Sequence, residues 1–489
     1  MRIGQTSVIG FTSQIVSTAV GFLATLAIVR VLGDDAFGTY SVVVSVVVWF
    51  QIIGDLGVRK AVNKRLSEPG DDDGYFLAGA SLQFAIFVVM AAFLFLLAGI
   101  TDSLPDRAIV HAIGTYTPFI VGLLFVSVAY AFVGATLNGR HLVHLSAMLG
   151  SGERALRSIL QLGVVFAGLG IAGLFWGYAV SGAVAAVVGI VFLRRRENPI
   201  RLAIPGRRHF SRLASYSRYS WLSGIETQAF KSMDTIVLGA FLVTNRVDLV
   251  AIYEVSWNIA SLFAVFSTAI SDALFPEVSQ IASTDGPERV AGLIEDALAY
   301  AGLFVIPGLV GAALLGDAVL SIYQPSFATG WLVLVVLVVA RLVYGYGNQF
   351  TNALNAIDRP DAAFRVHGVF IGSNLVFNLV LVWQFGWIGA AVATTISAVV
   401  SLLLGYRALT AIVDLTVPVR ELARQWAAAG VMAVVVLAGR VTFGATIPVA
   451  VVFAFVGAAT YFVALSAFSS RFRSTVLANL PEEVAGVVR

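Results

Sequence analysis

Apolar stretches about 20 residues long recur from one end of this chain to the other, and they leave it few folds to choose from. About 20 mostly apolar residues are what an α-helix needs to cross roughly 30 Å of hydrocarbon. Such stretches run at about 7–31, 38–58, 75–100, 112–136, 144–168, 172–193, 220–242, 250–274, 294–315, 330–354, 364–384, 387–406, 426–441 and 446–467. The expectation is an all-α polytopic membrane protein of about fourteen transmembrane helices. Only 12% of the residues are charged, against about 25% in soluble domains. That leaves too few charges to cover a water-facing surface, so lipid is much of the solvent. There is no cysteine, which excludes disulfides, thiolate catalysis and Cys-based zinc sites. The first stretch, 7–31, is too long for a signal peptide and lacks a small-residue cleavage site, so it reads as the first span.

Lysines and arginines set the orientation, because cytoplasmic loops hold an excess of them. With the N-terminus inside, the inward loops collect about 21 basic residues, among them Arg59, Lys60, Lys64, Arg65, Arg194 to Arg196, Arg207, Arg208 and Arg212. The outward loops hold Arg107, Arg246 and Arg440. Both termini are therefore expected in the cytoplasm and the chain in the plasma membrane. The outward connections 33–37, 168–170 and 385–386 are too short to hold a catalytic domain. The inward linker, 195–219, is basic and carries Phe210, Leu213 and Ala214 at helical spacing, which reads as an interfacial segment on anionic headgroups.

The chain shows signs of an internal duplication. Leu137-Asn138 matches Leu354-Asn355, and Gly170-Ile171-Ala172-Gly173 matches Gly386-Trp387-Ile388-Gly389. Gln161 falls in register with Asn378, and Tyr40 falls near register with Tyr253. The expectation is two pseudo-symmetric six-helix lobes, 1–194 and 220–407, joined by the linker 195–219. The remainder, 408–489, holds spans thirteen and fourteen, read as an uncharged apolar appendage, and a cytoplasmic tail.

Charges kept inside spans are costly. An Arg, Lys or Asp at a span centre costs about 2.5–3.5 kcal/mol and tends to face a bundle interior or wet cavity. Span five carries Glu153, Arg157 and Gln161 at successive i,i+4 steps on one face. Span seven carries Glu226, Lys231 and Asp234, and span eight Glu254. Span ten carries Arg341, Gly345, Asn348, Asn352 and Asn355 as one polar stripe, and span eleven Arg365, Asn374 and Asn378. Paired structural charges are the bland explanation for Glu153–Arg157 and Lys231–Asp234. Arg341 has no acid within four residues on its own helix, so its partner comes from another span or from an anionic substrate. The candidate substrate cavity is Arg157, Gln161, Arg341, Asn348, Asn352, Asn374 and Asn378. Amide side chains suit sugar hydroxyls, and guanidinium suits phosphate.

Other signals point to packing. Tyr344-Gly345-Tyr346-Gly347 lies inside a full span with no pore helix before it, and the five histidines are dispersed. Pro307-Gly308, midway through span nine, is expected to kink that helix. No nucleotide-binding or zinc-protease motif occurs, so no catalytic residue, metal, cofactor or nucleic-acid partner is expected.

Arg30-Val31-Leu32-Gly33-Asp34-Asp35-Ala36-Phe37-Gly38-Thr39-Tyr40, followed by an apolar span and Gly54-Asp55-Leu56-Gly57, resembles the polysaccharide-biosynthesis membrane proteins. These are the Wzx-type oligosaccharide flippases of the multidrug/oligosaccharidyl-lipid/polysaccharide exporter superfamily. Met233 to Gly239 looks like that family's seventh span, and Ala273-Leu274-Phe275-Pro276 like the end of its eighth. The resemblance covers about residues 1–407. It implies two six-helix lobes around a central cationic cavity and alternating access that translocates a lipid-linked oligosaccharide. Fourteen spans resemble the superfamily's lipid II flippases. Candidate coupling residues for Na+ or H+ are Asp234, Lys231, Glu226 and Glu254, with membrane potential as a third driving force. Expected partners are the lipid-linked oligosaccharide, membrane lipids and glycosyltransferases of the same pathway. The alternative is a drug/cation antiporter of the related MATE type, against which stands the lack of Asp or Glu in span one. A membrane glycosyltransferase would need larger outer loops. The excess of arginine over lysine suggests a high-GC source, with a dolichol-like or undecaprenyl carrier.

Overall fold

Long apolar runs with no water to satisfy their backbone can only close their hydrogen bonds internally, and the computed structural model shows this throughout. It describes residues 20–68, 73–195, 203–220, 222–444 and 446–479, and among them no strand occurs. The helices are α1 (Val20–Leu32), α2 (Asp34–Asp55), α3 (Val58–Ser67), α4 (Asp73–Ala98), α5 (Ala108–Gly139), α6 (Val143–Phe166), α7 (Gly170–Arg194), α8 (Arg207–Ser220) and α9 (Leu222–Phe241). They continue as α10 (Asp248–Asp285), α11 (Ala291–Ala301), α12 (Val305–Ser321), α13 (Trp331–Ala356), α14 (Pro360–Thr410), α15 (Val419–Phe443), α16 (Ile447–Phe468) and α17 (Ser470–Asn479).

Ten helical stretches among the described residues are long and apolar enough to cross a bilayer. The chain is an integral membrane protein. Ten differs from fourteen for identifiable reasons. The described part of α1 is short, and α6 and α9 carry the in-span charges. Pro360–Thr410 joins two sequence stretches in one helical element with a break at Gly386, φ 59°.

Contacts divide the chain into two compact units, Met1–Glu254 and Val255–Arg489. The sequence repeat turns over near 194–220, whereas compactness turns over inside α10, because α9 packs on α2 and α5.

The repeated residues build repeated turns. After α5, His141 adopts φ 58°, and the Leu142 N–H bonds the Leu137 carbonyl at 2.9 Å. After α13, Asp358 adopts φ 60°, and the Arg359 N–H bonds the Leu354 carbonyl at 2.9 Å. This six-residue closure with a left-handed residue is the Schellman-type helix stop. Gly170 and Gly386 likewise share positive φ, 61° and 59°, where the chain reverses between consecutive helices. Leu137-Asn138 and Leu354-Asn355 thus mark the same structural event twice.

The basic linker differs from its reading as a segment laid on headgroups. Helix α8 turns Leu213 and Phe210 onto the core of α3, α4 and α5, with Val58, Val62, Leu66, Tyr75 and Phe132. Its apolar face is taken up by protein, and Ala214 is exposed. Arg212 donates to the Tyr75 hydroxyl at 3.1 Å, and Lys64 of α3 sits 4.7 Å over the Tyr216 ring.

The kink expected from Pro307-Gly308 falls one turn before the proline, at Leu303, whose carbonyl Pro307 cannot bond. Span nine breaks at Gly302–Phe304, between α11 and α12. Pro307 falls in the first turn of α12, where its missing N–H has no intrahelical partner to lose. The break leaves carbonyls of α11 without their usual donors, and a neighbour supplies one: Gln425 of α15 donates to the Ala299 carbonyl at 2.6 Å.

Nor are spans thirteen and fourteen an uncharged appendage. At one end of α15, Arg440 pairs with Asp317 of α12 at 2.6 Å and bonds the Leu314 carbonyl. Toward the other end, Glu295 accepts from the Thr416 N–H at 2.9 Å, and Asp296 pairs with Arg471. Ser469 and Arg424 both bond the buried carboxylate of Glu421. The hairpin of α15 and α16 is tied to α11 and α12 at both ends, around a core that includes Ile306, Leu315, Ala428, Met432, Val436 and Tyr461.

Candidate functional site

In the first unit, α6 presents its polar face to α7 and α2. Glu153 is 7% exposed and accepts from Ser181 of α7 at 3.0 Å. One turn on, Arg157 pairs with Glu153 at 3.5 Å, and its guanidinium lies 4.5 Å from the Tyr178 ring centroid. Another turn on, Gln161 donates to the Tyr40 hydroxyl at 2.7 Å. Tyr40 stacks on Phe175 of α7 at 5.9 Å. The i,i+4 spacing read in the sequence thus becomes one connected network, and the tyrosine of the α2 motif closes it.

Both glycines of that stretch have a local cause. Gly33, φ 92°, separates α1 from α2. A side chain at Gly38 would overlap the Val247 carbonyl, so α2 meets the start of α10 backbone to backbone. In Gly54-Asp55-Leu56-Gly57, Leu56 and Gly57 have φ 44° and 80° and turn the chain into α3. There Asp55 accepts from the Arg59 N–H at 3.2 Å and pairs with its guanidinium at 2.8 Å.

A second cluster joins α9 to α10. Asp234 is 3% exposed and accepts from Tyr253, while Glu254 accepts from Thr235. The two carboxylates therefore engage reciprocal positions of adjacent helices. Lys231 is exposed. The Glu226 side chain and those of Ala273 to Pro276 lie outside the described residues.

In the second unit, Arg341 reaches from α13 to α10. It donates to the Ser261 hydroxyl, and its guanidinium stands 4.0 Å over the Trp257 ring. The sequence pointed to another span or a substrate as its partner; these contacts are a hydroxyl and an indole face from another span. Asn348 and Asn352 of the same stripe are half-buried, and Asn355 is exposed. Asn374 and Asn378 are fully buried between the two limbs of α14, where Asn374 donates to Thr394 at 3.1 Å and Asn378 to the Asn374 carbonyl at 3.1 Å. Arg365 is exposed and pairs with Asp361 at 3.0 Å.

Sequence reasoning did not find Ser181, Tyr178, Ser261, Trp257 or Thr235. Serine, threonine and aromatic residues occur throughout apolar spans, so composition does not single them out. Tyr253 carried a signal through its near-register match to Tyr40. Also unforeseen is an apolar cavity of about 200 Å³ in the second unit. It is lined by Ile259 and Phe263 of α10, Pro307 of α12, Met432 of α15, Phe462 of α16 and the intervening Phe304.

Chemically, these features provide amide and guanidinium donors, buried carboxylates and an apolar cavity. Among the described residues no group of three or more His, Cys, Asp or Glu could hold a metal ion.

Comparison with known proteins gives a consistent result. The family described as polysaccharide biosynthesis protein matches residues 3–282. A relative named probable flippase AglR, from Haloferax volcanii, is 34% identical over 491 residues, 99% of each chain. A second from the same organism, named probable low-salt glycan biosynthesis flippase Agl15, is 24% identical over 85% of each chain. Among solved structures, the lipid II flippase MurJ in an inward closed conformation superposes with a TM-score of 0.79, over 96% of this chain and 100% of that one. At 14% identity this likeness shows the fold.

Proposed function

Because the chain belongs to the polysaccharide biosynthesis protein family, we propose that it is a flippase for a lipid-linked oligosaccharide. It carries the polyprenyl- or dolichyl-phosphate-linked glycan from the cytoplasmic to the outer leaflet by alternating access, for polysaccharide or glycoprotein glycan assembly. The observation that carries this reading is the buried network of Glu153, Arg157, Gln161, Tyr40, Tyr178 and Ser181 inside otherwise apolar helices. A polar headgroup crossing a bilayer needs such groups, since each unsatisfied polar atom in hydrocarbon costs several kcal/mol.

The substrate has two chemically opposed ends. Arg157 and Gln161 in one unit, and Arg341, Asn348 and Asn352 in the other, suit a sugar phosphate. The cavity beside α15 and α16 suits part of an isoprenoid chain. Asn374 and Asn378, tied to each other and to Thr394, hold the limbs of α14 in register. Asp234 and Glu254, with Lys231 and Glu226 on the same helix as Asp234, are the groups through which Na+, H+ or membrane potential would drive the cycle. The protein resides in the plasma membrane with both termini cytoplasmic, among the glycosyltransferases that make its substrate. Two relatives, matched over 99% and 85% of their length, are named flippases, which favours this reading over a drug/cation antiporter.

The test is a deletion strain. Lipid-linked oligosaccharide should accumulate facing the cytoplasm, and the wild-type gene should relieve it. Unchanged glycan export together with loss of cationic-dye efflux would instead establish the antiporter.

A further inference from the structure

The break in span nine gathers buried polar groups that the transport reading does not use. At Gly302 the helix stops, and the Leu303 N–H bonds the Tyr300 carbonyl at 3.1 Å, which leaves the Ala299 carbonyl to the Gln425 amide nitrogen. The other end of that amide, Gln425 Oε1, is buried without a hydrogen-bond partner, as is the hydroxyl of Tyr461. Gln425 is 1% exposed and Tyr461 fully buried. A methyl group added at Gly302 would overlap the Tyr346 hydroxyl and sit 3.3 Å from Gln425 Oε1. The two oxygens therefore flank one point beside the break, within about two hydrogen-bond lengths of each other. Tyr461 lies within electrostatic reach of Tyr346 and Glu421.

No hydrogen bond joins that amide oxygen to the hydroxyl, and the two are near enough for one molecule to bridge them. Leaving the buried Gln425 Oε1 unmet would cost about 1–3 kcal/mol, whereas a buried water with two to four polar partners is an ordinary component of a protein interior. Water is also one of the agents that satisfies freed backbone at helix breaks in membranes. We infer that the α11–α12 break binds a structural water between the Tyr346 hydroxyl and Gln425 Oε1, with Tyr461 bordering the site. The hairpin of α15 and α16 is thereby the latch of the broken span: one face of the Gln425 amide replaces the lost helix bond, and its other face holds the water. Ligands other than water fit poorly, because the nearby carboxylate of Glu421 is already engaged by Ser469 and Arg424 and the next layer, Phe304 and Phe462, is apolar.

Two measurements on the purified full-length protein test this. A density map that resolves ordered water should show a peak within hydrogen-bond distance of both Tyr346 and Gln425. A map that shows other buried waters but none here, or shows the two side chains in direct contact, overturns the assignment. Independently, Tyr346→Phe should lower the Tm by on the order of 1–2 °C, and this loss should vanish in a Gln425→Ala background. If the hydroxyl takes no part in a bridge, Tyr346→Phe raises the Tm or leaves it unchanged, and the inference fails.

Discussion

At Gly38 a single carbon atom decides whether two helices meet. The hypothetical β-carbon overlaps the carbonyl of Val247, and backbone cannot step aside as a flexible side chain can. Gly38→Ala is predicted to cost about 1–3 kcal/mol, read as a lower Tm in detergent; an unchanged Tm would mean that α2 shifts freely against α10. Arg341 is constrained differently. Its charge is held over an indole and against a hydroxyl, and a cation over an aromatic face gains about 0.5–2 kcal/mol. Arg341→Ala is predicted to abolish transport while the protein still inserts. Arg341→Lys should recover little, because a compact ammonium lacks the planar group that stacks. Complementation of a deletion strain, with membrane abundance measured in parallel, checks both; full activity of the alanine variant would remove Arg341 from the pathway.

Among the elements, the repeated helix stop and the α15–α16 hairpin carry the clearest consequences. His141 and Asp358 hold left-handed backbone, φ 58° and 60°, which costs an L-residue roughly 1–2 kcal/mol. Glycine escapes that cost and gives back part of it as chain entropy, so His141→Gly and Asp358→Gly should each stabilise by several tenths of a kcal/mol to about 1 kcal/mol. Thermal unfolding of the single variants measures it, and a destabilised pair would show that the side chains, not the backbone, govern these turns. The hairpin depends on Arg440, whose side chain is 29% exposed against 35% for Asp317. At that exposure the bond is partly screened, and Arg440→Ala is expected to cost about 1–2 kcal/mol through the orphaned carboxylate and the Leu314 carbonyl. Faster proteolysis between α15 and α16 would report the freed hairpin; an unchanged cleavage rate would mean that the contacts near Glu295 and Asp296 hold it alone.

For the molecule as a whole, the apolar spans and the repeated helix stops were legible because both are carried by patterns along the chain. Apolar runs, basic loops and paired Leu-Asn and Gly-rich signatures need no knowledge of neighbours. The α6 face was legible for the same reason: Glu153, Arg157 and Gln161 share it by helical periodicity alone. What those residues touch was not legible. Ser181, Tyr178 and Tyr40 lie on other helices, and no local rule ties serine or tyrosine in an apolar span to a particular partner. The ties of Arg440 to Asp317 and of Arg471 to Asp296 escaped notice because each pairs residues more than a hundred positions apart. Carried through to function, Glu153→Gln should leave Arg157 without its carboxylate and reduce transport by ~10-fold or more, the scale on which a buried charged hydrogen bond acts. Transport at the wild-type rate in reconstituted vesicles would confine Glu153 to a packing role.

The amino-acid sequence by itself determined that this chain lives in a membrane, that it is helical, and that its polar residues fall on chosen helix faces. Hydrocarbon permits few alternatives to an apolar helix, and a 3.6-residue period assigns faces without any partner. Tertiary structure decided how the break in span nine is closed, what the basic linker packs on and how α15 and α16 are held. Each of those outcomes depends on which helix stands next to which. Gln425 can stand in for a lost helix bond only because α15 lies beside α11, and that adjacency is written in no stretch of the chain shorter than the fold.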